Sequence, residues 1–186
     1  MQKQISMNRL LLTLIAVVFS TIGLFAQKNQ LFPELAGTTV DGKAVTLPVS
    51  CKGKYTLIGI AFSKKAEDDL VTWMDPMMNT FRPGTNKANV FIPEYDVNMY
   101  FIPMFTGLNK AAAATALKKA KESLDKRLHQ HVVFYKGDMD NYKDPLQLKD
   151  KDVPYFFVLD PDGKIVLSLS GKYTEEKMEE IEEIIE

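Results

Sequence analysis

The sequence has very little cysteine: Cys51 is the only one in 186 residues. A single thiol cannot close a disulfide within the chain, and it cannot form the Cys-x-x-Cys pair that dithiol oxidoreductases use. Histidine is scarce too, since only His129 and His131 are present and no third ligand accompanies them. Zinc sites use three or four protein ligands. We therefore predict no metal centre and no bound cofactor.

An excess of basic residues is also missing. The chain carries 23 Lys and Arg against 24 Asp and Glu, with a net charge of −1. Nucleic-acid-binding proteins present a basic surface to the phosphate backbone. The sequence therefore predicts no nucleic-acid partner.

Acidic residues are absent from the first 26 positions. Lys3 and Arg9 come before an uncharged run over residues 10–25, and Ala26 then supplies a small residue at a plausible cleavage point. This layout is typical of a secretory signal peptide. The run is shorter than the roughly 20 residues that cross a bilayer as a helix.

Two expectations follow for the organisation of the protein. Residues 1–26 are predicted to be a secretory signal peptide, and residues 27–186 a single domain. We expect export to the periplasm or cell envelope. If the segment is not cleaved, it is the expected contact with the membrane.

Strand and helix signals alternate along the rest of the chain. Asp41-Gly42 predicts an N-terminal β-hairpin with a two-residue turn in which both central residues have positive φ. Residues 55–62 predict a buried strand, and residues 65–80 a helix that Pro76 should kink or end. Further elements are predicted as a strand at 97–104, a helix at 109–128, a strand at 131–135, a hairpin at 155–159 and 164–169, and a helix after Thr174. This order predicts an α/β fold with a mixed central sheet flanked by helices.

Two segments of the chain together resemble the active site of the thioredoxin fold. A strand over residues 55–61 runs into Phe62 and a helix start, and far downstream Val153-Pro154 comes just before another strand. Redox enzymes of this fold carry Cys-x-x-Cys in the first segment, and this chain does not. The N-terminal hairpin followed by residues 52–54 is similar to the peroxiredoxin and periplasmic thiol-reductase branch, also called redoxins.

Further pieces resemble the family of mitochondrial ATP-synthase assembly chaperones, which work without a redox cysteine pair. The similar pieces are residues 55–63, Trp73 with Pro76, residues 131–137, and Pro154-Tyr155 leading to Leu159-Asp160 and Gly163–Ile165. The resemblance covers roughly residues 38–185. Because the export signal separates this chain from a family that acts on the matrix side, the resemblance implies the fold and a cysteine-free binding mode, not the client.

The resemblance places a binding face where the redox site would lie. Ser63, Lys64 and Lys65 stand at a helix start, whose free N–H groups and dipole favour an anionic group or acidic peptide. The ordinary alternative is a solvated helix start capped by Ser63. The resemblance also implies a cis Val153–Pro154 bond beside this start, with backbone exposed to an extended peptide. Pro154 and Tyr155 therefore complete the predicted binding face.

These features predict an exported, non-catalytic binding or assembly protein of the cell envelope, with a protein or peptide partner. The alternative is a thiol-dependent peroxidase or reductase using Cys51, which would need a lowered thiol pKa. Lys52 and Lys54 would favour the thiolate, yet the loop ahead of a strand is not the catalytic position, and we expect an ordinary free thiol. A third possibility is an accessory protein that binds through basic helix 118–127, whose interspersed acids indicate a solvated face instead.

Overall fold

The apolar segments of the chain assemble into a seven-stranded sheet in the computed structural model, which describes residues 29–82 and 95–185. The strands are β1 (Leu35–Thr39), β2 (Ala44–Leu47), β3 (Thr56–Ala61), β4 (Asn98–Phe105), β5 (Val133–Lys136), β6 (Tyr155–Leu159) and β7 (Ile165–Ser170). Their order across the sheet is β2-β1-β5-β4-β3-β6-β7. Strand β3 pairs parallel with β4 and antiparallel with β6, so the sheet is mixed, as predicted.

Helices cover the two faces of the sheet unequally. The helices are α1 (Lys64–Phe81), α2 (Ala113–Ser123), the single turn α3 (Asp140–Lys143) and α4 (Glu175–Ile185). The three longer helices pack on one face, where Trp73 of α1 and Met178 and Ile181 of α4 join one apolar cluster. On the opposite face Tyr142 of α3 and Leu146 belong to a second cluster. Both clusters meet at β3, in which every residue is buried, as the apolar run predicts.

The N-terminal hairpin forms where it was predicted, but its turn is longer. Thr39 donates its N–H to the carbonyl of Lys43 at 2.9 Å, and its own carbonyl accepts from Gly42 N–H at 2.9 Å. Gly42 has φ +93°, whereas Asp41 does not have positive φ. The prediction of a two-residue turn is therefore wrong. A glycine in the left-handed region after a tight turn produces the same reversal with one more residue.

The helix predicted over residues 65–80 is confirmed, although it does not end at Pro76, and the helix predicted over residues 109–128 is corrected. Helix α1 runs through Pro76 to Phe81, because buried residues on either side of the proline, among them Trp73 and Met77, hold it against the sheet. The single helix expected over 109–128 is divided into α2 and the flanking 3₁₀ turns Gly107–Ala112 and Lys126–Leu128. Only Ala113 of α2 is buried, so packing does little to hold one continuous helix there.

The predicted signal peptide, residues 1–26, lies outside the described residues. Among the helices of residues 29–82 and 95–185, none combines the length and apolar character needed to cross a membrane.

Candidate functional site

The start of α1 is capped by its own sequence. Ser63 has extended backbone angles, φ −140° and ψ 161°, and its Oγ accepts a hydrogen bond from Ala66 N–H at 3.1 Å. The carbonyl of Ser63 accepts from Glu67 N–H at 2.9 Å. A serine that caps a helix in this way satisfies one of the free N–H groups at its start. The capping role considered for Ser63 is therefore confirmed.

The two distant segments of the predicted face do meet. Ser63 Oγ donates to Oδ1 of Asp152 at 3.2 Å, and the rings of Phe62 and Tyr155 stack with centroids 6.3 Å apart and 14° between their planes. Sequence analysis did not single out Asp152, because its contact with Ser63 joins residues 89 positions apart. Its carboxylate supplies, from within the chain, the negative charge that a helix start favours.

The two lysines of the predicted face point to solvent. Both Lys64 and Lys65 are exposed. Lys64 pairs with Asp68 one turn along α1, and the hydrogen bond to that carboxylate raises the pKa of Lys64. An exposed pair of this kind contributes little to stability. Both ammonium groups therefore remain accessible to a partner.

Pro154 and Tyr155 are less accessible than the sequence suggested. Both are buried, Tyr155 with 8% of its surface exposed. The carbonyl of Pro154 accepts from Gly171 N–H at 2.9 Å, and Oη of Tyr155 accepts from Asp150 N–H at 2.7 Å. Their role in binding stays a prediction, and any contact with a partner would involve the rim of this loop.

The prediction of a cis peptide bond at Val153–Pro154 is wrong. That bond is trans, and the cis peptide bond among the described residues is Leu47–Pro48. An extended trans chain leads directly into the β6–β7 ladder, which begins with the pair Tyr155 and Ser170.

An apolar groove of about 400 Å³ opens beside the start of α1, between α1 and α2. Its sides include Val71 and Met74 of α1, and its floor includes Phe105 and Phe134. Val71 is 58% exposed, so this side of the groove presents apolar surface to solvent. Sequence analysis did not find the groove, because the separation of two helices is set by tertiary packing.

Glu67 lines the end of the groove nearest the helix start, together with Lys64. Burial raises the pKa of the Glu67 carboxyl, and the positive charge of Lys64 partly opposes that effect. The groove is therefore mostly apolar, with Lys64 and Glu67 at one end and Lys119 of α2 also in its lining.

Cys51 occupies a different place from the predicted face. It ends the 3₁₀ turn Val49–Cys51 and is completely buried in the cluster on the opposite face of the sheet. Burial raises the pKa of its thiol. A nucleophilic cysteine needs the opposite change, since the thiolate is the reactive form.

Both histidines contact backbone carbonyls. Nδ1 of His131 lies 3.0 Å from the carbonyl oxygen of Met99, and Nε2 of His129 lies 3.1 Å from that of Leu124. Within the two described ranges, no three His, Cys, Asp or Glu side chains are grouped closely enough to hold a metal ion.

Comparison with solved structures supports the fold. The chain is similar to a putative thiol:disulfide interchange protein DsbE from Chlorobium tepidum, with 17% identity over 84% of this chain and 94% of that chain and a TM-score of 0.52. It is similar to the exposed lipoprotein thioredoxin Etrx1 from Streptococcus pneumoniae strain TIGR4, with 16% identity, coverage of 81% and 98%, and a TM-score of 0.51. It is also similar to BsSco, a member of the Sco family of cytochrome c oxidase assembly proteins, with 16% identity over 84% of this chain and 92% of that chain and a TM-score of 0.51.

At these identities the likeness concerns the fold, and it confirms the predicted thioredoxin-like α/β architecture. No curated protein matches the sequence at a significant level. The family model described as ATP10 protein matches residues 17–186, which is most of the chain and includes the predicted binding face and the groove. The chain therefore belongs to the ATP10 protein family.

Proposed function

We propose that this protein is a non-catalytic assembly protein of the cell envelope that binds a polypeptide client at the start of α1 and in the adjoining groove. One observation carries the proposal. Where a redox enzyme of this fold would have thiols, Ser63 is engaged with Asp152, and the apolar groove begins one turn further along α1. A self-contained polar contact beside open apolar surface suits binding better than electron transfer.

Membership of the ATP10 family supports an assembly role. The family membership, not the short segments that resemble the chaperones, is the reason that we propose a subunit of a membrane complex as the client. Location in the envelope rests on residues 1–26, whose charge and hydropathy pattern is that of a secretory signal peptide. Mass spectrometry of the protein from the envelope fraction should find a mature N-terminus near residue 27. A cytoplasmic protein with its N-terminus intact would contradict this location.

The alternative function, a peroxidase or thiol reductase using Cys51, is less well supported. The thiol is buried and its pKa is raised. Peroxide consumption or insulin reduction that disappears in Cys51→Ser would favour the enzyme over the assembly protein.

Site-specific photo-crosslinking tests the proposed binding face. A photoreactive residue at Lys65 should give one discrete adduct in the native host, identified by mass spectrometry as a membrane-complex subunit. Lys121, which is exposed on α2, is the control position. Equal and diffuse labelling at both positions would overturn the proposal for this face.

A pair of valine substitutions tests the groove. Val71→Asp places a charge on the groove wall and should weaken the Lys65 adduct about tenfold, because a carboxylate is costly to bury against an apolar client. Val49→Asp is the matched control, since Val49 is 62% exposed and lies in the 3₁₀ turn next to Cys51. Circular dichroism should show both variants folded. Unchanged crosslinking in Val71→Asp would remove the groove from the proposal.

A further inference from the structure

Strand β7 forms one end of the sheet, and part of its backbone faces outward. Antiparallel partners alternate between hydrogen-bonded and non-hydrogen-bonded pairs. The carbonyl of Pro154 accepts from Gly171 N–H, so the pair Tyr155–Ser170 is non-bonded, and so is the pair that includes Ser168. The N–H and C=O groups of Ser168 and Ser170 therefore point away from β6, at the edge of the sheet.

The chain itself shows that this edge accepts a strand. A bulge between Val158 and Leu159 shifts the register of the β6–β7 pairing. The backbone N–H and C=O of Ile165 therefore also point away from β6. Its N–H donates to the carbonyl of Gln30 at 2.9 Å, and its carbonyl accepts from Asn29 N–H at 2.8 Å. Asn29 is the first residue that the structure describes, and no described residue pairs with the edge beyond Ile165. Ser168 and Ser170 lie further along the same edge.

The edge lacks the usual protection against pairing. Proteins commonly place charged residues or proline on an edge strand to prevent association. Residues 165–171 contain neither. The bulge lies at the Ile165 end, where the edge is already occupied. The segment at Ser168 and Ser170 is therefore a neutral, regular template for another strand.

A cavity of about 430 Å³ lies beside this part of the edge. Ser168 and Ser170 line it on β7, and Val153 and Tyr155 line it on the neighbouring loop and strand. Side chains of a strand paired at Ser168 would alternate between the two faces of the sheet. One of these side chains would reach the cavity. The edge would then recognise a side chain of the partner in addition to its backbone.

Self-association through this edge is disfavoured. A two-fold β7–β7 pair centred on Ser168 would direct Lys172 of one copy to Lys164 of the other, and like charges opposite each other are destabilising. Leu31 already pairs with Lys164 at that position. Lys172 forms an ion pair with Asp69 at 3.4 Å, but 69% of its side chain stays accessible, and this ammonium group favours an acidic residue at the end of the incoming strand over a basic one.

We propose that the outer edge of β7 binds an extended segment of a partner polypeptide by strand addition at Ser168 and Ser170. The segment is neutral and β-prone at its centre and acidic at the end that meets Lys172. This surface is separate from the groove between α1 and α2, so the proposal holds or fails independently of the proposed function.

The probe is a fluorescently labelled peptide, Ac-DEVTVT-NH₂, titrated against the full chain by fluorescence anisotropy. Two N-methylated versions, each methylated at alternate residues, report which backbone edge is used. Only methylation of the N–H groups that face β7 should abolish binding. Equal effects of both versions, or no saturable binding of the parent peptide up to about 1 mM, a threshold that corresponds to about −4 kcal/mol, would overturn the proposal.

Ser168→Pro removes one outward N–H and is tolerated in principle, because proline is found on edge strands where that group faces solvent. It should weaken the peptide at least about fivefold, as expected for one lost hydrogen bond. Ser168→Ala keeps the N–H and should bind within about twofold of wild type. Ser170→Pro repeats the test if Ser168→Pro does not fold.

Lys172→Glu tests the choice of an acidic strand and should weaken the peptide several-fold at low salt, with a smaller difference at high salt. Loss of binding in Val71→Asp would place the peptide in the groove and overturn strand addition. A dimer in sedimentation experiments that Ser168→Pro abolishes would show a second copy, not a partner, at this edge, which also contradicts the proposal.

Discussion

Ser63 and Asp152 are 89 positions apart in sequence, and their side chains meet at the first turn of α1, with Oγ and Oδ1 3.2 Å apart. The same Oγ accepts from Ala66 N–H, so one hydroxyl links the helix start to the loop before β6. The carboxylate stands where a helix dipole favours negative charge. The chain thus provides part of the interaction that the sequence suggested for an external anion.

Removing this carboxylate should destabilise the protein. Asp152→Ala should lower the free energy of unfolding by about 0.5–1.5 kcal/mol, the usual net value of a hydrogen bond. Urea denaturation followed by circular dichroism measures the change. Asp162→Ala is the control, because Asp162 is exposed in the β6–β7 turn and only its backbone N–H takes part in a described hydrogen bond. Equal midpoints for the two variants would show that the Ser63–Asp152 contact contributes nothing.

Trp73 should be a major contributor to stability. It is fully buried, its Nε1–H donates to the carbonyl of Gly171 at 3.0 Å, and its ring centroid lies 4.0 Å from that of Phe156. Trp73→Phe keeps an aromatic ring but leaves the Gly171 carbonyl without this donor, at a cost of about 1–3 kcal/mol. Denaturant titration by circular dichroism measures it. A loss below about 0.5 kcal/mol would mean that water replaces the indole donor.

Stability should fall as the pH decreases below about 7, in part through His131. Burial is the main cause of the lowered pKa of His131, and the charge of Arg82 acts in the same direction. The unfolded chain takes up this proton near pH 6.5 while the folded protein resists it, so the unfolded state is favoured as the pH falls through that value.

Unfolding midpoints between pH 7.5 and pH 5.5 measure the effect, within about one pH unit of the ordinary histidine pKa. The pH dependence should become shallower in His131→Gln and persist in His129→Gln. The two variants make a matched pair, since the chain has only these histidines. A dependence that is lost in His129→Gln instead would contradict the assignment to His131.

Cys51 should be inert in the folded protein. The thiol is buried and its pKa is raised, so a disulfide reagent such as DTNB should react only after denaturation. Release of thionitrobenzoate, followed by absorbance with and without urea, is the measurement. Stoichiometric labelling of the native protein within minutes would instead show an accessible thiolate and support the alternative function as a peroxidase or thiol reductase.

Local signals in the sequence predicted the elements well where a few neighbouring residues decide the structure. The apolar run over residues 55–62 produced the buried β3, and Ser63 at the start of α1 is a cap as its chemistry indicates. The turn at Asp41-Gly42 was placed correctly but predicted one residue too short, because aspartate and glycine mark the position of a chain reversal without fixing its length. The helix predicted over residues 65–80 formed, and Pro76 does not end it because the burial of its neighbours outweighs the local cost of proline.

The sequence by itself determined the thioredoxin-like order of strands and helices and the lack of a second thiol, since periodicity, turn residues and composition are properties of the chain. Only the tertiary structure decided that Asp152 meets Ser63, that the carbonyl of Pro154 accepts a hydrogen bond from Gly171 N–H, and that α1 and α2 leave a groove between them. These relationships join residues far apart in sequence. They depend on how the helices and loops pack against the sheet, and no local pattern encodes that packing.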